Sequence, residues 1–224
     1  MKTRHLIAAA LLFVLVATST LAGPPLVCHV FDIGSATSLP WIGDNWNLTG
    51  SESYDTGNLP ADTLAILDND SAVLVHMETL RRAALYGQKN PVALKQLVIR
   101  LKMRSDSATT DLANFDLGYL AAVLGQLHWI YKDSSNPAQA LDAYTLVKKA
   151  LAGQPNNAQL QFAAALITLN GPAADHLQYA QSAIAGAKSD PLLARNLSNH
   201  FRGTHSETMA QVISRSVETK VARQ

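Results

Sequence analysis

The sequence has few of the residues and motifs on which catalysis usually depends. It contains one cysteine among 224 residues, so no disulfide can form within the chain. It has no Gly-x-Ser-x-Gly nucleophile elbow, no phosphate-binding glycine loop with its lysine, and no His-Glu-x-x-His zinc motif. These absences argue against the common hydrolase, nucleotide-binding and zinc-protease classes.

The chain also has little net charge of either sign. Charged residues make up 16% of it and nearly balance, at a net charge of +1. Residues 1–22 carry Lys2 and Arg4 and no acid, so the remainder has a net charge of −1. Such a chain, with no basic cluster in its sequence, has no electrostatic field to attract nucleic acid or acidic lipid. We expect a protein or peptide partner and no cofactor, with a homo-oligomer as an open alternative.

The one apolar run of notable length lies at the N-terminus. Ile7 to Val16 follows a basic start and precedes the small-residue ending Leu21-Ala22. This arrangement is typical of a cleavable secretory signal over residues 1–22, and the run is short for a membrane span. We predict cleavage after Ala22, export to the periplasm or the medium, and no membrane span in the mature protein. An uncleaved anchor is the alternative.

Residues 23–57 form a segment that we call the arm. It contains Pro24, Pro25 and Pro40 and two of the three tryptophans, Trp41 and Trp46, with little helical periodicity. A long irregular segment rich in aromatics usually packs against the domain that follows. We therefore predict an extended arm laid over the helices. Leu26, Val27, Val30, Phe31 and Ile33 are its expected apolar anchors, with a short strand as the alternative for these residues.

The arm also holds Cys28, His29 and Asp32, the one group of reactive side chains outside the predicted helices. A thiolate beside an imidazole can bind a soft metal, and a lone thiol can pair with another chain. The side chains of adjacent residues in an extended segment point to opposite faces, which argues against coordination of one ion by both Cys28 and His29. Structural packing of Cys28 is the interpretation we favour. Metal or thiol chemistry at these three residues is the alternative.

After the arm, apolar residues recur at three- and four-residue steps, which predicts a helical domain over residues 58–202. Residues 203–224 predict a weak last helix or a disordered tail. In the helix predicted over 71–87, Glu78 and Arg82 stand four residues apart, which predicts a surface salt bridge. The helices are predicted near 60–67, 71–87, 91–104, 115–131, 137–153, 157–169, 176–187 and 191–201.

Residues 136–170 carry a resemblance to a known family. Asn136-Pro137 predicts a helix start, Gly153 and Pro155 its end, and Asn156 or Asn157 the cap of the next helix. The residues Ala140-Leu141-x-x-Tyr144, Ala150-Leu151 and Pro155-Asn156-Asn157-Ala158 resemble the second helix of a tetratricopeptide repeat and the start of the next repeat. The pattern recurs 36 residues later at His176, Leu177, Ala180, Ala183, Ile184, Ala187 and Pro191.

This resemblance implies an all-α, tetratricopeptide-like solenoid of antiparallel helix pairs, preceded by the irregular arm. Its implied function is protein interaction without catalysis, because stacked hairpins present a concave binding surface. An ordinary helical bundle is the alternative. The segment from Cys28 to Trp41 is also similar to exported bacterial proteins that carry no assigned activity. The groove residues expected from the first helices of the pairs are Asn114, Tyr119, Gln126, Gln159 and Gln161.

Overall fold

The computed structural model describes residues 24–42, 48, 50–69, 72–108, 110–132 and 134–201. Every regular element in these ranges is helical and none is a strand, which confirms the all-α prediction. The predicted signal peptide and the predicted tail over 203–224 lie outside the described residues. Within the described ranges, no helix is both long enough and apolar enough to cross a bilayer.

Nine α-helices and one 3₁₀ turn make up the regular structure of the described residues. Most helix boundaries follow local signals. Asn90 caps a helix that starts at Pro91, and its side-chain oxygen accepts a hydrogen bond from Ala93 N at 3.1 Å. The helices are α1 (Pro25–Cys28), α2 (Leu59–Asn69), α3 (Val73–Lys89), α4 (Pro91–Ser107), α5 (Ala113–Ile130), α6 (Ala143–Gly153), α7 (Ala158–Ile167), α8 (Ala173–Gly186) and α9 (Pro191–Phe201), with the 3₁₀ turn at Thr56–Asn58.

The predicted helix start at Asn136-Pro137 is wrong. Residues 137–140 form turns, and α6 begins only at Ala143. Asp142 caps it, because its carboxylate accepts from the backbone N–H of Thr145 at 3.0 Å and from the Thr145 hydroxyl at 2.7 Å. A carboxylate at this position also suits the positive end of the helix dipole. The Asn136 side chain accepts instead from Ala138 N, within the turn.

The helices from α2 to α9 pack in chain order, each against the next. Contacts two helices apart join α2 to α4, α3 to α5 and α7 to α9, and α7 also reaches α3. Helix α7 is buried on more than one side. Its central residues from Phe162 to Leu166 are all at most 1% exposed.

The arm contributes to the core of this stack. Leu26, Val27, Phe31 and Leu39 are at most 1% exposed, and α1 packs against both α5 and α7. Of the predicted anchors, Leu26, Val27 and Phe31 are therefore fully buried, whereas Val30 and Ile33 are half-buried. The prediction of an extended arm is wrong at Pro25–Cys28, which form α1. The arm lies against α3, α5, α7 and α9, and this position builds the candidate site.

Candidate functional site

Residues 26–40 of the arm, which we call the docked segment, lie in a groove formed by α3, α5, α7 and α9. We call this the inner groove. Side chains of three of these helices bind main-chain atoms of the docked segment. The main-chain atoms belong to six of its residues: Leu26, Val27, Phe31, Asp32, Leu39 and Pro40.

Helix α3 supplies a buried charge cluster to the inner groove. The carboxylate of Glu78 accepts from Arg81 at 2.8 and 2.9 Å and from Arg82 at 2.6 Å. The predicted ion pair between Glu78 and Arg82 is present, but its predicted location on the surface is wrong, because Glu78 is 0% and Arg82 15% exposed. The pair is buried because the arm covers this face of α3, a contact that helix spacing alone does not show.

The same three side chains hold the arm. Glu78 Oε2 accepts from Phe31 N at 3.0 Å, and Arg81 Nη1 donates to Val27 O at 3.1 Å. Arg82 donates to the carbonyl oxygen of Leu39. The indole of Trp41 lies over both guanidinium groups, at 4.9 Å from Arg81 and 5.7 Å from Arg82. The cluster therefore pairs one carboxylate with two guanidinium groups, leaving a net charge of +1, and satisfies arm backbone groups that burial has removed from water.

Two carboxamides bind the arm further along the groove. On α9, the side chain of Asn196 binds both main-chain polar groups of Asp32. It accepts from Asp32 N at 2.9 Å and donates to Asp32 O at 2.7 Å. On α5, Gln126 Oε1 accepts from Leu26 N at 2.9 Å. Neither carboxamide contacts an arm side chain through these bonds, so the recognition is of the peptide backbone.

Phe31 is the main apolar anchor of the docked segment. Its ring stacks on His200 of α9 at 4.3 Å and meets Tyr119 and Phe162 edge-on at 6.4 and 6.2 Å. His29 lies next to this group, with its ring 5.4 Å from that of His200. The anchor therefore joins α5, α7 and α9 through one arm residue.

Burial controls the ionisation of the groups around Phe31. Desolvation lowers the pKa of His200 to about 3, and the nearby His29 and Arg81 act in the same direction. Desolvation and Arg81 also lower the pKa of His29. Burial and the charge of Glu78 raise the pKa of Tyr119 well above its ordinary value. At neutral pH, His200 is therefore an uncharged ring in an aromatic cluster.

The structure does not bring Cys28, His29 and Asp32 together as a ligand set. Cys28 packs in the apolar core, where burial raises the pKa of its thiol. Asp32 binds Arg195 at 2.7 Å and Gly34 N at 2.9 Å, and these hydrogen bonds lower its pKa. Among the described residues, no three His, Cys, Asp or Glu side chains are placed to hold a metal ion.

The predicted groove residues divide into two sets. Tyr119 and Gln126 contact the docked segment, but Tyr119 is fully buried and belongs to the core rather than to an open surface. The other three bind elsewhere. Asn114 accepts from Ser105, Gln161 donates to the carbonyl of Pro155, and Gln159 joins Leu74 N to Asp190.

An open cleft of about 440 Å³ begins where the docked segment begins. Leu26 and Gln126 line it from the inner groove, and Trp129, 74% exposed, stands on α5 one helical turn beyond Gln126. Gly125 also faces the cleft, and a side chain added there would meet nothing within 4 Å. The remaining lining residues are Ala122, Leu141, Asp142, Ala143, Tyr144, Ile167 and Asn170.

Comparison with known proteins found no matching family model, curated protein or solved structure. The geometry of this chain is therefore the basis for any functional proposal.

Sequence reasoning missed several residues that hold the arm, namely Arg81, Tyr86 and Asn196. Tyr86 donates from its hydroxyl to Pro40 O and accepts from Ser51 N at 2.8 Å. These partners lie 35 to 164 positions apart, and no local pattern connects them. The one available signal was composition, because Arg81 and Glu78 are charged residues in a mostly apolar helix.

Proposed function

We propose that this protein is an exported, tetratricopeptide-like binding module without catalytic activity, which binds an extended segment of a protein partner in the open cleft. The arrangement of the helices supports the family resemblance. Helices α3, α5 and α7 each pack against the helix that follows, as the first helices of α3–α4, α5–α6 and α7–α8 pairs. These first helices, with α9, surround the arm, as expected of the concave face of a helical-hairpin stack.

The observation that carries the proposal is the way the inner groove holds the arm. Glu78 and Asn196 bind main-chain groups of Phe31 and Asp32, which lie outside any helix. Gln126 and Arg81 bind Leu26 N and Val27 O in the short helix α1. Backbone hydrogen bonds provide affinity for a polypeptide of almost any sequence, and pockets for its side chains provide specificity. The chain thus already contains one segment, irregular in part, whose backbone is bound in this manner.

The open cleft continues the same surface with no described residue filling it. Leu26 of the docked segment and Gln126 of the inner groove both line the cleft. A partner segment would therefore lie end to end with the docked segment. Trp129 gives the cleft a large aromatic side chain, and Trp is enriched among the residues that dominate binding energy. Gln126 and Asn170 add carboxamides of the kind that hold the arm.

The test begins with a photoreactive amino acid at Gly125, where an added side chain enters open space. A partner crosslinked in cells is identified, purified and titrated against the wild type and Trp129→Ala. We expect Trp129→Ala to weaken the complex by about tenfold or more, as is usual for a central aromatic residue. Gln178→Ala, which alters an exposed residue on α8 that does not line the cleft, is the control.

Two results would overturn the proposal. One is a crosslinked partner whose affinity is the same for Trp129→Ala and Gln178→Ala. The other is turnover of a small molecule that depends on Cys28, His29 or Asp32, which would support the thiol or metal alternative. No observation in the described residues favours that alternative. Crosslinking to a second copy of the chain would identify the partner segment as the protein's own.

A further inference from the structure

Helix α4 exposes an apolar stripe on the side opposite the core. Its residues Ala93, Leu94, Leu97, Val98 and Leu101 are buried. Val92, Ile99 and Met103 are 68%, 50% and 64% exposed, and at 3.6 residues per turn they fall within about 40° of one another. They are half of the six large apolar side chains that are exposed in the described part of the chain, so this is a patch rather than scatter.

Positive charge flanks the stripe. Lys95 and Lys102 lie on one side of it and Arg100 on the other, and all three are exposed. The one acid on α4 is Asp106, which binds Lys102 at 2.7 Å. The near-neutral balance of the whole chain led us to expect no attraction to acidic lipid, but it hides this local excess, because the compensating acids lie on other elements.

From this pairing of apolar and basic residues, we propose that the α4 face docks on the surface of an anionic phospholipid bilayer. An exposed helix with apolar residues on one line and cations beside them suits the boundary between acyl chains and anionic headgroups. Val92, Ile99 and Met103 enter this boundary, while the stems of Lys95 and Arg100 lie along it on either side and their charged groups reach the phosphates.

The same features argue against the other occupants. A second copy packed on this face would set cations against cations, because Lys95, Arg100 and Lys102 border the stripe on both sides. An amphipathic partner helix needs a groove between elements, whereas α4 presents the ridge of a single helix. A bilayer surface deforms around a ridge and supplies anionic groups on both sides of it.

The experiment places an environment-sensitive nitrobenzoxadiazole label at position 99 through Ile99→Cys. Native labelling is selective for this position because Cys28 is 8% exposed. The full chain is mixed with vesicles of equal parts phosphatidylglycerol and phosphatidylcholine, or of phosphatidylcholine alone. We expect brighter, blue-shifted emission with the anionic vesicles only. The matched control carries the label at Gln178→Cys, an exposed position on α8, and should not respond.

A second variant separates docking of α4 from adsorption of another part of the chain. Lys95→Gln with Arg100→Gln should lower the partition coefficient of the labelled protein about twenty-five-fold, from about fivefold for each cation lost. An equal response at positions 99 and 178, or an unchanged coefficient in the double variant, would overturn the proposal. A response at 99 to an acidic amphipathic peptide but not to the vesicles would also overturn it, and would assign the face to a protein partner.

Discussion

Asn196 holds Asp32 by both polar groups of its backbone, although 164 positions separate the two residues. The Asn196 side chain accepts from Asp32 N at 2.9 Å and donates to Asp32 O at 2.7 Å. Because both contacts are to main-chain atoms, they fix the position of the arm without selecting its side chain. Asn196 therefore joins α9, the last described helix, to the docked segment that follows α1.

Removal of this side chain should loosen the arm. Each neutral hydrogen bond contributes about 1 kcal/mol, so Asn196→Ala should raise the opening equilibrium of the arm about thirtyfold. The buried thiol of Cys28 reports this opening through its rate of reaction with a disulfide reagent. Asn114→Ala, which removes a carboxamide bound to Ser105, is the control and should leave the rate unchanged. Equal rates in the two variants would show that Asn196 does not hold the arm.

Loss of the Glu78 charge should destabilise the whole fold. Glu78→Gln leaves the buried guanidinium of Arg81 without its counter-ion, and we expect a loss of about 3–5 kcal/mol in the free energy of unfolding. Urea unfolding followed by circular dichroism measures it. Asp106→Asn breaks an exposed pair with Lys102 and should cost no more than about 1 kcal/mol. A cost for Glu78→Gln as small as that of the control would contradict the prediction.

Alanine substitutions at two glycines of α5 should change the free energy of unfolding in opposite directions. At Gly118 a methyl group would lie 2.8 Å from the carbonyl oxygen of Ala143 and from Leu146, so Gly118→Ala should destabilise the fold by about 1–3 kcal/mol. At Gly125 it would meet nothing within 4 Å, so Gly125→Ala should stabilise the helix by about 0.5–1 kcal/mol. Thermal unfolding of both variants checks the signs. Destabilisation by Gly125→Ala would show that the cleft is closed in solution.

The buried imidazole of His200 should make stability depend on pH. Its pKa is lowered to about 3 in the fold, whereas an unfolded histidine titrates near 6.5. Between these values the unfolded chain binds more protons, so stability is present above pH 6.5 and declines as the pH falls. We expect about 2 kcal/mol of the loss between pH 7 and pH 5 to disappear in His200→Phe, as measured by urea unfolding. The same loss in both proteins would contradict this prediction.

The sequence predicted much of the helical framework because the signals for it are local. Asn90-Pro91, Asn157 and Pro191 mark helix starts that the structure contains. The same cap-and-proline rule failed at Asn136-Pro137. There Asp142 offers a carboxylate with two hydrogen bonds to Thr145, and the helix starts beside it. Local rules identify candidate caps, but they do not rank two candidates six residues apart.

Local rules of this kind could not predict the contacts of the arm. Glu78 looked like half of a surface ion pair because Arg82 follows four residues later, and burial under the arm changes its role. Gln126 was predicted to line a groove, and its contact with Leu26 shows that the chain itself occupies part of that groove. Which backbone group meets which side chain depends on packing between elements 47 to 164 positions apart.

Because the partners of the arm are far apart in the sequence, they also determine when the arm can fold during synthesis. The ribosome releases the chain from its N-terminus, so Phe31 emerges long before His200 and Asn196 exist to meet it. A nascent chain that stops short of residue 196 has neither of the α9 contacts of the docked segment. Phe31 can therefore be buried under the ring of His200 only after the ribosome has passed residue 200, so the docked segment reaches its final position late in synthesis.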